Sequence, residues 1–189
     1  MQPNTDKYIE AAWIVFALVW LAGAFTTKRT VRSQPVERRW LYSIMLILAG
    51  ELLTRNMRFG FLAHRFLPES AAASCAGAAL TIAGVAVAIW ARFYLGRNWS
   101  GKPTIKKGHT LIRSGPYALV RHPIYTGIAL AMLGTGIAIG EIRGLIATLL
   151  ALIAFKIKSR LEESFMTEQF GEQYTGYKQQ VRALIPFVW

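Results

Sequence analysis

The sequence predicts an all-α, polytopic membrane protein with about five transmembrane helices. Three observations carry that expectation. Apolar residues make up 53% of the 189 residues and charged residues only 17%, with a mean hydropathy of +0.32; a soluble domain carries about a quarter charged residues. The apolar residues are gathered into long runs that lack charge. The 22 Lys and Arg residues exceed the 10 Asp and Glu residues, net +12, and fall unevenly between those runs. The apolar content excludes intrinsic disorder. The single cysteine, Cys75, excludes a disulfide framework.

Crossing the hydrocarbon takes roughly 20 helical residues, and about 17 still suffice. Residues 11–27 hold no charge, nor do the 22 residues from Ser70 to Ala91 or the 18 from Pro123 to Gly140. These three runs qualify alone. Residues 40–53, interrupted by Glu51, and residues 144–155 reach the length by adding polar flanks that snorkel. A secretory signal is the alternative for the first run, because Ala22-Gly23-Ala24 looks like a cleavage site. Asp6, Lys7 and Glu10 argue against it, since they leave the preceding segment net negative.

Sorting the basic residues by loop gives an orientation. Of the 22, 17 fall in segment 28–39, in segment 92–121 and in the tail from Lys156 onward. The positive-inside rule puts those segments in the cytoplasm and the N-terminus outside. An odd number of spans requires the same. Topology thereby accounts for the basic excess, and nucleic-acid binding has no motif to support it.

Small residues predict the packing. Gly77, Thr81, Gly84 and Ala88 form one stripe of the third span, and Gly136 and Gly140 make a GxxxG on the fourth. Gly140-Glu141 is too short a link for anything but an antiparallel helical hairpin.

The stretch Leu95 to Tyr125 mixes Gly, Pro, His, Tyr and Trp with basic residues. It contains His109 and His122, whereas His64 reads as a surface residue of the external loop. No HxxxH, cysteine pair or His–carboxylate spacing points to a metal. Pro123 suits the first turn of a helix, so the fourth span begins there with its positive dipole end toward the cytoplasm. Arg121 and His122 then add donors to free backbone N–H groups, an arrangement that binds an anion. They read equally as ordinary anchors of a span. Tyr117 and Tyr125 flank them. Past the fifth span lies Glu162-Glu163, either a surface ion-pair cluster with Lys156, Lys158 and Arg160 or a carboxylate pair carried back beside His122 by the hairpin. An anion-binding end facing a carboxylate pair would receive a zwitterion, or a sulfonium or ammonium centre. The segment from Phe170 to Trp189 reads as an amphipathic tail lying on the membrane as a lid.

Taken in order, these pieces resemble the isoprenylcysteine carboxyl methyltransferase family of integral membrane enzymes. The resemblance rests on Leu95-Gly96 with Asn98-Trp99-Ser100, Gly108-His109-Thr110-Leu111-Ile112, Gly115 and Tyr117, and Arg121-His122-Pro123-Ile124-Tyr125. Glu162-Glu163, Phe170-Gly171-Glu172-Gln173-Tyr174 with Tyr177, and Leu184-Ile185-Pro186-Phe187 complete it. It covers residues 95–189. It implies two parts: residues 1–91, three helices with the basic loop 28–39, and residues 92–189, a catalytic region with the hairpin 123–158 and the tail.

The resemblance further implies S-adenosylmethionine in a pocket facing the cytoplasm, contacted by His109, Leu111, Ile112, Tyr117, His122, Pro123, Tyr125 and Glu162. Arg121, Glu163 and Lys158 are the catalytic candidates. Arg121 would handle an anionic group, and Lys158 stands where the family carries a substrate-anchoring arginine. Glu163 would be the base if the acceptor were an amine. A lysine lacks the two-point fork of arginine, so the sequence departs from the family at the substrate end. The implied acceptor is lipophilic and enters laterally from the bilayer, with a prenylcysteine-type carboxylate first and a phospholipid, amine or thiol next. An NADPH-dependent reductase of the sterol-reductase kind and a non-enzymatic membrane scaffold are the remaining readings.

Overall fold

The computed structural model describes residues 3–24, 30–33, 37–96, 104–106 and 111–185. Its elements are α1 (Pro3–Ala24), β1 (Thr30–Ser33), α2 (Glu37–Leu52), two 3-10 turns (Arg55–Met57 and Gly60–Ala63) and α3 (Ala71–Leu95). They continue as β2 (Thr104–Lys106), α4 (Pro116–Leu119), α5 (Pro123–Ile139), α6 (Ile142–Phe170) and α7 (Glu172–Gln180). The described part of each apolar run is helical except at the ends, where Leu53, Ser70 and Gly140 lie just outside their helices. Among the described residues, two helices, Asn4–Ala24 and Ala71–Leu95, are long and apolar enough to cross a membrane, and α5 is apolar but shorter.

The centre of the bundle is the seam between α3 and α5. Gly77 and Gly84 on α3 face Gly134 and Gly127 on α5, and a Cβ on Gly84 would come 2.4 Å from the Ala131 backbone nitrogen. Only glycine lets the two backbones approach so closely, as expected of the α3 stripe. Polar atoms cross the same seam. Thr81 Oγ1 donates to Gly77 O at 2.9 Å and lies 3.2 Å from Thr135 Oγ1. Trp13 Nε1 on α1 donates to Thr135 Oγ1 at 3.1 Å.

The α5–α6 hairpin is antiparallel, with Gly136 packed on Gly144 near the turn and Tyr125 stacked on Phe155 at 4.9 Å toward the other end. Gly140 departs from the GxxxG expectation. It caps α5 in the left-handed region, φ +69°, where a side chain would be strained. Gly136 therefore packs without it, and Gly140 makes the turn.

A second departure is a small antiparallel ribbon of β1 and β2, pairing Thr30 with Lys106 and Ser33 with Thr104. An all-helical reading misses it, because two short strands far apart in sequence carry no periodic signal. It joins the loop after α1 to the loop after α3. Buried Arg92 works at the same end, donating to Gly23 O at 2.8 Å and Gly96 O at 3.0 Å. One guanidinium thus satisfies carbonyls at the ends of both helices.

Candidate active site

Three elements meet at the mouth of the hairpin. Pro123 opens α5, as its missing N–H and fixed φ favour. That places His122 at the cap and Tyr125 one turn in. α6 continues past the apolar run and brings Lys158, Glu162 and Glu163 to the same end. The tail returns as an extended stretch, and Arg121 and His122 donate their backbone N–H groups to Arg182 O and Ala183 O at 2.8 and 3.0 Å.

The side chains form one charged cluster. His122 Nε2 lies 3.1 Å from Glu163 Oε1, and His122 Nδ1 lies 3.6 Å from Glu162 Oε2. Tyr125 donates to Glu162 Oε1 at 2.5 Å. Arg121 binds Glu163 Oε1 through Nε at 2.8 Å and Nη2 at 2.7 Å, and Lys178 Nζ reaches Glu163 Oε2 at 3.1 Å. Lys158 Nζ sits over the Tyr125 ring at 5.1 Å and the Tyr42 ring at 5.8 Å. The His122 ring stacks on Tyr125 at 5.5 Å.

The electrostatics follow from this geometry. Burial pulls the His122 imidazole down, but hydrogen bonds and charge from Glu162 and Glu163 outweigh it and hold the ring above its ordinary value. Both ring nitrogens face a carboxylate, as an imidazolium requires. Burial pushes the Glu163 carboxyl up, yet the hydrogen bond and charge of His122, followed by those of Arg121, bring it down to about 2. Glu162 is lowered as well, with burial opposing and His122, Lys158 and Tyr125 prevailing.

Six of the expected residues therefore come together: Arg121, His122, Tyr125, Lys158, Glu162 and Glu163. Pro123 is buried at the start of α5. Tyr117, buried on α4, donates its hydroxyl to Ala91 O at 3.4 Å. Leu111 and Ile112 lie half-buried ahead of α4, and Ile112 packs on the core. His109 lies outside the described residues.

The geometry bears on two of the expected roles. At the start of α5 the donors are partly engaged. Tyr125 and Thr126 give their N–H groups to His122 O. The Arg121 guanidinium is already held by Glu163, Lys178 O and Val181 O. Arg121 thereby fastens the tail and Glu163 together. Glu163 is held at about 2 by its cationic neighbours.

Sequence reasoning missed Tyr42, Lys178 and Phe155 as members of this neighbourhood. Tyr42 carries no motif and reaches Lys158 only through helix packing. Tyr177, named within the tail motif, is buried and donates to Tyr117 O, tying α7 to α4.

Comparison with known proteins gives the family. The phospholipid methyltransferase family model matches residues 72–173, more than half of the chain. A probable protein-S-isoprenylcysteine O-methyltransferase of Oryza sativa subsp. indica is 30% identical over 173 residues, covering 89% of this chain and 87% of the rice protein. The protein-S-isoprenylcysteine O-methyltransferase of Rattus norvegicus is 33% identical over 118 residues, 61% of this chain, but the match spans only 42% of the rat protein. A solved eukaryotic intramembrane Ras methyltransferase, isoprenylcysteine carboxyl methyltransferase, superposes with a TM-score of 0.59 and 28% identity. That likeness covers 78% of this chain and 52% of the solved one. With the family model across α3 to α7 and the rice relative aligned over nearly its whole length, this chain belongs to the isoprenylcysteine carboxyl methyltransferase family of integral membrane proteins.

Proposed function

We propose that the chain is a membrane-embedded methyltransferase that moves a methyl group from S-adenosylmethionine to a lipophilic acceptor, a prenylcysteine-type carboxylate first. The observation that carries this reading is the pair Glu162 and Glu163 held against His122 and Tyr125 at the mouth of the α5–α6 hairpin. Its donor set fits the cationic part of the cofactor. Among the described residues, Glu162 Oε2 meets His122 Nδ1 at 3.6 Å, which leaves acceptor capacity for an ammonium, and Tyr125 offers a ring beside it. His109, Leu111, Ile112, Tyr117 and Pro123 complete the proposed cofactor contacts, with Glu163 and Arg121 fixing the frame.

S-adenosylmethionine supplies an activated methyl group on a positively charged sulfur. The chain's own part is alignment and exclusion of water. Glu162 orients the cofactor, and His122, pinned between both carboxylates, holds Glu162 in place. Lys158, steered by the Tyr42 and Tyr125 rings, anchors the acceptor carboxylate by a single point of charge. A carboxylate acceptor is already ionised and needs no base. That favours it over an amine, because Glu163 at about 2 is unsuited to take a proton. Such alignment and desolvation lower a barrier by several kcal/mol.

Five spans are part of the proposal, with the N-terminus outside and the site facing the cytoplasm. So are the division into residues 1–91 and 92–189, lateral entry of the acceptor from the bilayer, and a tail resting on the membrane surface. Calorimetry on the detergent-purified protein tests the cofactor. S-adenosylhomocysteine should bind and NADPH should not, and His122→Ala and Glu162→Ala should each weaken binding at least about tenfold, the equivalent of 1.4 kcal/mol. Unchanged affinity in a folded variant removes that residue from the site. Labelled cofactor incubated with lipid extract and prenylcysteine analogues tests the acceptor, and label appearing only in phospholipid overturns the carboxylate.

A further inference from the structure

We propose that Arg39, in the first turn of α2, is a second cation of the acceptor site and grips the acceptor carboxylate together with Lys158. This role rests on the carboxylate acceptor proposed above, anchored at Lys158. It extends substrate recognition to the N-terminal half of the chain, where no motif marks a site.

α2 packs chiefly on α6. Arg39, Tyr42, Leu46 and Ala49 recur at helical spacing and share one face of it. Tyr42 and Ala49 are buried on that face, and Leu46 packs on the core. Trp40, Leu41, Ile44 and Ile47 take the opposite, exposed side. Half-buried Arg39 therefore continues the inward stripe of α2 by one turn. Tyr42 links that stripe to the site. Its ring lies 5.8 Å from Lys158 Nζ, and it stands within electrostatic reach of both Arg39 and Glu162.

Arg39 Nε is shut off from solvent and makes no hydrogen bond among the described residues. A buried donor left without an acceptor is costly, the more so on a charged group. A guanidinium that served only to anchor the span would turn its nitrogens outward to the lipid headgroups. This one keeps Nε inside, where an acceptor arrives with a ligand. The ligand's chemistry follows from the two cations. Lys158 supplies a single point of charge, whereas Nε and an Nη of Arg39 make the two-point fork that fits a carboxylate. The level in the bundle suits a lipophilic acceptor. Arg39 immediately precedes the apolar run that opens at Trp40, and Lys158 follows the one that ends at Phe155. Both stand at the edge of hydrocarbon, where an amphiphile with its chain in the bilayer presents its carboxylate.

The test uses the whole chain in detergent with S-adenosylmethionine and N-acetyl-S-farnesylcysteine. Arg39→Gln should raise KM for this acceptor at least about tenfold, as loss of a hydrogen-bonded charge gives, with kcat changed less than about twofold. Arg39→Lys keeps the charge without the fork and should raise KM by about threefold; it serves if Arg39→Gln fails to fold. Binding without turnover is the second readout. The native chain should hold the farnesylcysteine carboxylate over its carboxamide by at least about tenfold, and Arg39→Gln should cut that preference at least about fivefold. Binding of S-adenosylhomocysteine should be the same in all of these proteins. An unchanged KM and carboxylate preference in a folded variant, or a matching loss of S-adenosylhomocysteine binding, overturns the role of Arg39, while methyl transfer by the native chain upholds the methyltransferase reading. A native chain that binds S-adenosylhomocysteine but shows no preference for the carboxylate and methylates only lipid amines overturns the carboxylate site and Arg39 with it. A native chain that binds neither overturns both readings.

Discussion

Helices α1 and α5 are both apolar, yet they occupy opposite environments. α5 buries Ile124, Tyr125, Gly127, Ala129, Ala131, Met132, Gly134 and Thr135, whereas α1 buries Ile9 and Thr5 and exposes Tyr8, Ile14, Val15, Leu18 and Leu21. Hydropathy alone does not explain the difference, although α5 is the more apolar. Side-chain size does: α5 alternates glycine and alanine with larger residues, and α1 carries large aliphatic and aromatic groups around its circumference. In a solvent of hydrocarbon there is no apolar penalty for exposure, so close approach of backbones decides which helix is central.

The largest effect should come from filling the seam. Gly127→Leu drives a side chain into α3, where even a Cβ would meet the Ala88 nitrogen at 2.6 Å. It should cost about 3 kcal/mol or more, read as a collapse of the melting temperature in detergent. A well-folded Gly127→Leu protein would break the contrast between the two helices.

Next is the anchor that holds the start of α5 to α6. Glu163→Gln leaves Arg121, His122 and Lys178 facing a neutral amide at a side chain only 10% exposed, and should cost about 3 kcal/mol. The same group sets an acid limit. Its folded pKa lies below the ordinary 4.5, at about 2. Its contribution is therefore full above 4.5 and is lost as pH falls through that interval. His122 has the opposite sign. Its raised pKa gives stability that is full below the ordinary 6.5 and is lost as pH climbs through the raised value. Unfolding midpoints measured from pH 2 to pH 9 should fall at both ends, and His122→Ala should remove the alkaline limb.

Smaller effects sharpen the comparison on the α1 side. Trp13→Phe removes the hydrogen bond to Thr135 and should cost about 1 kcal/mol. Leu18→Val, on the exposed face of α1, should stay within about 0.5 kcal/mol. A loss at Leu18 as large as that at Trp13 would mean that α1 is packed on more than α3.

Much of this was legible from residue pattern. Charge-free runs marked the helices because a long stretch without ionisable groups has few other uses. Pro123 marked the start of α5, and the short Gly140-Glu141 link was enough to bring Glu162 and Glu163 back to His122. Other features escaped because they depend on pairing between distant segments. The β1–β2 ribbon and the backbone contacts of residues 182–184 with the start of α5 have no local period. Arg121 was legible as a cation beside a helix end, but its partner was not. Which of several nearby anions and carbonyls a guanidinium selects depends on where the tail lands.

The tail also orders events during synthesis. Arg121 and His122 leave the ribosome some sixty residues before the stretch that satisfies their N–H groups. A nascent chain that has released α5 and α6 can close the hairpin and pair Arg121 with Glu163. It still lacks the carbonyls of Val181, Arg182 and Ala183 and the hydroxyl of Tyr177. The hairpin can close first, and the mouth that joins α5, α6 and the tail is finished last.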